Sequence, residues 1–161
     1  MGASGGERPV PLARLFAMAF HHFVDGLHER LAEHGWSDVR PSYGFVLLAA
    51  REGPTTPGEV ARLLGVTKQA ASVLVGQMQQ AGYLEAAVPS GDGRSDARVK
   101  AVALTARARE LLGVVETVYA ELEAGWAEVI GADAVEAVRE NVRLALEGTH
   151  GGVLPGVRPT W

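Results

Sequence analysis

Thr67, Lys68, Gln69, Ser72, Val73 and Gln77 share the polar face of a helical pattern whose other face is Ala71, Leu74, Val75 and Met78. That polar face carries one cation and no acid. Ammonium and amide groups of this kind hydrogen-bond to base edges in the major groove. Thr and Ser hydroxyls bond bases or phosphates, and Val73 suits a thymine methyl. The start of the helix also attracts a phosphate. Farther along, Arg94, Arg98 and Lys100 flank a turn-rich stretch, from which they can reach the neighbouring backbone or the minor groove. A solvated helix face or a polar loop would explain either segment alone. Together they point to double-stranded DNA.

Other chemistries find less support. His21, Asp25 and His28 fall on one stripe of the first helical pattern, at a spacing a metal could use. A polar stripe that faces solvent or a second copy is the commoner use of that arrangement. No metal or cofactor is therefore expected, and a metal-sensing regulator using His21 and His28 stands as the alternative. The adjacent His21 and His22 point about 100° apart on a helix and make a weak pair. There is no Gly-rich phosphate loop, nucleophile elbow or His-Glu-x-x-His. Asp92 and Asp96 lie in a hairpin tip, where neither would be desolvated for acid–base work. An enzyme is not expected.

The charge distribution agrees with DNA. The 161 residues carry a net charge of −4, yet residues 60–109 hold seven basic and three acidic side chains. The absence of cysteine excludes disulfides, thiolate metal sites and thiol redox chemistry. No apolar run has the length of a membrane span, and no export signal opens the chain. A cytoplasmic protein with no membrane partner is the expectation.

The elements that must position these residues are legible from period and punctuation. Residues 1–10 read as a flexible, Gly-rich lead. Leu12, Phe16, Phe20, Phe23, Leu27 and Leu31 then form one apolar stripe of a long helix that Gly35 closes. A second helix opens at Pro41-Ser42, turns Tyr43, Val46, Leu47 and Ala50 inward, and stops at Gly53-Pro54. Thr56, Pro57 and Glu59 make a capping box for a short third helix with Val60, Leu63 and Leu64 inward. Gly65 ends it and Thr67 caps the next, which gives two helices joined by a tight Gly turn. The period then changes to strand-like runs, residues 83–88 and 99–104, around a turn-forming loop. Thr105 caps a long helix whose first stripe is Leu111, Val115, Val118, Leu122, Gly125 and Val129. Its second stripe, Leu112, Tyr119 and Trp126, implies that the helix touches two bodies. Asp133 with Glu136 is expected to cap a last helix, and residues 148–161 read as a flexible tail.

The segments Leu64-Gly65-Val66-Thr67-Lys68-Gln69-Ala70-Ala71-Ser72, Gly82-Tyr83-Leu84 and Asp96-Ala97-Arg98-Val99-Lys100-Ala101-Val102-Ala103-Leu104-Thr105 resemble the MarR family of winged-helix transcription regulators. The resemblance runs from about Pro11 to Leu146 and is most specific in the Asp-x-Arg-x-Lys stretch leading to Leu-Thr. It implies a mainly α fold: a winged helix-turn-helix with a two-stranded β-wing, flanked by N- and C-terminal dimerisation helices. In that division residues 11–40 and 106–147 serve dimerisation and residues 41–105 form the DNA-binding core. It further implies a homodimer on a pseudo-palindromic operator, with Arg98 entering the minor groove and Asp96 helping to hold that arginine. A small aromatic or anionic effector is implied between the dimerisation helices and the winged core, with His21, His22, Trp36, Tyr43 and Arg51 as candidate contacts. The chain departs from the family pattern at Ala86 and Ala97, where arginines are common, and at Val73 and Gly76, where charges are common. A modest salt slope on DNA follows. The expected role is repression of a promoter, relieved by the effector. A dimer that serves a protein partner and has lost DNA binding is the alternative from another class.

Overall fold

The computed structural model describes residues 9–87 and 100–157. Among the described residues, six helices and two strands follow one another: α1 (Leu12–Glu33), α2 (Pro41–Arg51), α3 (Pro57–Leu64), α4 (Lys68–Gln80), β1 (Leu84–Ala87), β2 (Ala101–Leu104), α5 (Ala106–Ile130) and α6 (Ala132–Thr149). The architecture is the expected mainly helical one with a two-stranded antiparallel sheet.

Side-chain caps account for the start of three of the helices. Thr56 accepts a bond from the Glu59 amide, and the Glu59 carboxylate accepts from the Thr56 amide at 2.8 Å, so the capping box is complete. That backbone bond, more than any charge, holds the Glu59 carboxyl below the usual carboxylate range. Gly65 reverses the chain at φ +67°, ψ 29°, a left-handed conformation that costs other residues about 1 kcal/mol. Two residues later Thr67 accepts from the Ala70 amide at 3.1 Å and opens α4. Thr105 does the same for α5, accepting from the Ala108 amide at 3.1 Å. The last helix departs from expectation. Gly131, not Asp133, is its N-cap, and no side chain caps it; Asp133 lies inside the first turn.

One core joins α1 through α5 and the sheet. Tyr43, Val46 and Leu47 of α2, Val60 and Leu64 of α3, Ala71, Val75 and Met78 of α4, and Leu84, Val102 and Leu104 of the sheet are buried together. Leu27 and Leu31 of α1 and Leu111, Val118 and Leu122 of α5 extend the same cluster. Gly26 lets α1 approach α5, since a Cβ there would come within 2.8 Å of Leu122 Cδ2. The apolar stripe of α1 is divided along its length. Leu27 and Leu31 are buried, whereas Leu12, Phe16 and Phe20 remain exposed. The second stripe of α5 meets α1, with the Phe23 and Trp126 ring centres 4.8 Å apart.

In the sheet Leu84 pairs with Leu104 and Ala87 with Ala101. Thr55 adds a third, one-residue edge: its amide donates to Val102 O at 2.9 Å, and Val102 N–H donates to Thr55 O at 2.8 Å. Of the described residues in the two strand patterns, Tyr83 and Lys100 lie outside the strands. Tyr83 is buried ahead of β1, with its amide bonded to Met78 O.

Candidate nucleic-acid interface

Helix α4 has one buried face, Ala71, Val75 and Met78, which fixes its rotation against α3 and the sheet. Rotation then determines what is bare. Thr67, Lys68, Gln69, Ser72, Val73 and Gln77 are all exposed, Val73 at 55%. The expected polar face is thus brought together on one side of one helix. Some of its valences are already used. Ser72 Oγ donates to Lys68 O at 2.8 Å, which leaves the hydroxyl as an acceptor toward solvent. Thr67 Oγ1 is the N-cap acceptor and keeps its own proton to donate. Gln77 Oε1 accepts from Arg40 Nη1 at 3.4 Å, a contact between residues 37 apart in sequence.

Of the hairpin residues, Lys100 is exposed immediately before β2. Arg94, Asp96 and Arg98 lie outside the described residues. β1 starts beside the C-terminal end of α4, because Ala81, Gly82 and Tyr83 alone connect the two.

The effector candidates fall in three places, with Tyr43 and Trp36 both against the Tyr83 ring. Tyr43 is buried, its ring edge-on to Tyr83 at 5.8 Å. Trp36 is half-buried and lies beneath the Arg107 guanidinium, 5.1 Å from the ring centre. His22 stacks on Trp126 at 6.0 Å, and His21 meets the Phe20 ring edge at 5.9 Å. Arg51 alone of the five lines a cleft of about 300 Å³ shared by Leu104, Arg109, Leu112, Gly113 and Glu116. It forms an ion pair there with Glu116 at 3.0 Å. Among the described residues, no group of three or more His, Cys, Asp or Glu side chains could hold a metal ion, so His21, Asp25 and His28 do not assemble into one. Burial, partly offset by the Asp25 carboxylate and a bond to the Val39 backbone, lowers the pKa of His28.

A cluster not anticipated from the sequence lies between α4 and α5. Tyr83 donates to Asp38 Oδ1 at 2.8 Å, while Arg107 Nη2 reaches Asp38 Oδ2 at 3.2 Å and the Tyr83 hydroxyl at 3.3 Å. The Arg107 guanidinium also stands 5.0 Å from the Tyr83 ring centre. Burial raises the Tyr83 pKa above the usual phenol range. Each member comes from a different element: the α1–α2 linker, the α4–β1 turn and the first turn of α5. No periodic signal connects them.

Residues 38–95 match the sequence model of the MarR family. No curated protein matches the chain. Among solved structures it is similar to the reduced form of MarR from E. coli, with TM-score 0.71, 21% identity, and coverage of 87% of this chain and 99% of that one. It is also similar to the transcriptional regulator Tm0710 from Thermotoga maritima, with TM-score 0.65, 19% identity and coverage of 90% and 98%. A third is MepR, a transcription regulator of the Staphylococcus aureus multidrug efflux pump MepA, with TM-score 0.63, 18% identity and coverage of 87% and 99%. At these identities the likeness is one of fold.

Proposed function

Because residues 38–95 match the MarR family model and the fold is similar to that of solved MarR structures, we propose that the chain is a MarR-family, sequence-specific DNA-binding transcription regulator. It acts as a homodimer on a pseudo-palindromic operator, as a repressor that a small aromatic or anionic effector releases. The observation that carries this reading is the bare polar face of α4, capped by Thr67 and free of acidic side chains. Thr67, Lys68, Gln69, Ser72, Val73 and Gln77 read the major groove. Arg94, Arg98 and Lys100 follow the flanking backbone or minor groove, and Asp96 steadies the wing. Each protomer takes one half-site, with the two centres about 10 base pairs apart.

Dimer formation draws support from the apolar surface that one chain leaves uncovered. Leu12, Phe16 and Phe20 on α1, Val129 and Ile130 at the end of α5, and Val138 and Leu144 on α6 are all exposed. Such a surface on the two terminal regions suits burial against a second copy. Effector binding draws support from the cleft beside Arg51 and Arg109, which joins the winged core to α5. A ligand that alters this junction needs a coupling of only about 1–3 kcal/mol to change operator occupancy.

The test is fluorescence anisotropy on the protein's own upstream intergenic DNA across a salt series, with unrelated duplex as competitor. Specific binding that Lys68→Ala weakens bears the reading out. No preference over unrelated duplex at any salt sinks it for that DNA and favours a protein partner for the winged core.

A further inference from the structure

We infer that Arg40, at the start of α2, is a DNA-contacting residue: it grips a backbone phosphate at the end of the reading face remote from Lys68 and orients the Gln77 amide. The inference rests on the DNA-binding reading of α4 and adds to it a residue from another element.

Three observations carry it. The first is a deficit of charge. From Lys68 to Gln80, α4 holds one cation, and it stands at the first position of the helix. Its C-terminal half offers Gln77, Gln79 and Gln80 and no charge. The second is placement. Arg40 is exposed, and its guanidinium reaches Gln77 Oε1 at 3.4 Å, so the positive group lies at the edge of the reading face. Nine residues separate Lys68 from Gln77, which at 1.5 Å per residue is about 13.5 Å along the helix. The major groove is about 12 Å wide. A cation at each end of that span suits the two phosphate strands that border the groove.

The third observation is rigidity. Arg40 precedes Pro41, which restricts it to extended backbone, here φ −99°, ψ 150°. Two residues upstream, Asp38 accepts bonds from Tyr83 and Arg107. Within the linker, Trp36 N–H donates to Leu31 O at 2.8 Å, and Val39 N–H donates to Trp36 O at 3.2 Å. The linker is therefore held just before the point from which Arg40 projects, and Pro41 opens α2 just after it.

The chemistry follows from valence. Gln77 Oε1 engaged by Arg40 turns the amide Nε2–H2 outward as a donor, suited to acceptors such as guanine O6 or N7 and thymine O4. A guanidinium has five donors, so one spent on Gln77 leaves the others for phosphate oxygens.

The test compares wild type, Arg40→Ala, Arg40→Lys and Lys68→Ala by anisotropy. Two labelled duplexes of about 30 base pairs serve as probes, enough for two half-sites one turn apart. One is selected by the wild-type protein from a randomised library, and the other is an unselected random sequence. Arg40→Ala is expected to weaken binding several-fold on both duplexes and to reduce the salt slope by about 1 per affected phosphate contact. Arg40→Lys, which keeps the charge, should recover the slope. Thermal unfolding of Arg40→Ala should match wild type, since the side chain is exposed. Unchanged affinity and slope for Arg40→Ala, while Lys68→Ala weakens binding, overturns the inference and leaves the DNA reading standing. A loss confined to the selected duplex, with the slope intact, also overturns the phosphate contact. Failure of the wild type to bind either duplex at low salt overturns the DNA reading and this inference together.

Discussion

Arg107 shows how much a half-exposed cation can contribute when it has several partners. Its ion pair with Asp38 is open to water on both sides and by itself contributes little. The same guanidinium also stands over the Trp36 and Tyr83 rings, each such contact adding about 0.5–1 kcal/mol at an exposed site. Arg107→Ala is therefore expected to lower unfolding stability by about 1–2 kcal/mol in denaturant titrations. Asp38→Ala should cost less, because the stacking survives. Equal losses would mean that the ion pair, not the stacking, holds the linker. His28 gives a second prediction at this scale. Burial lowers its folded pKa, so the unfolded chain binds the proton more readily. Stability due to His28 is complete above the ordinary histidine pKa near 6.5 and is lost as pH falls below it. His28→Gln should flatten that part of the stability curve between about pH 7 and 5. An unaltered curve would exclude His28 as its source.

At the scale of elements, the helix-turn-helix depends on the short helix α3. Eight residues do not make a stable isolated helix, so its ends matter. The reciprocal Thr56–Glu59 box closes one end and the left-handed Gly65 the other. Thr56→Ala is expected to cost about 1 kcal/mol by removing the acceptor for the Glu59 amide. The measurement is the urea midpoint at constant slope; no shift would mean that tertiary packing alone holds α3. Thr55 immediately before it pairs with Val102, so α3 is anchored to the sheet as well as to α4. Both helix-turn-helix segments were legible in advance because caps and the 3.6-residue period are local. Asp133 with Glu136 offered the same pattern for α6, yet Gly131 became the cap. α5 ends at Ile130, one residue before Gly131, and the turn between the two helices is that single residue. There Asp133 falls within the helix instead of before it.

For the whole molecule, the bare apolar residues of α1, α5 and α6 are the feature one chain cannot resolve alone. Phe16 is 48% exposed although it lies within α1. In the proposed dimer Phe16→Asp places a carboxylate in apolar surroundings, which costs several kcal/mol unless it is paired. Analytical ultracentrifugation is expected to show a shift toward monomer. Circular dichroism should show most of the helical content retained, because the core does not include Phe16. A variant that stays dimeric would move the interface away from this end of α1. Operator affinity should fall with the dimer, since two half-sites then bind independently.

The sequence by itself determined where α3, α4 and α5 begin, the turn that joins α3 to α4, and the exposed chemistry of α4. These follow from caps, glycine conformations and periodicities that act over a few residues. Tertiary structure alone decided which part of the α1 stripe its own chain covers and which part stays bare. It also decided that Thr55 joins the sheet, that Asp38, Tyr83 and Arg107 meet, and that Arg40 reaches Gln77. The physical reason is range. A contact between polar side chains tens of residues apart leaves no period in the chain, and its geometry exists only once the core has set the angle between the elements that carry it.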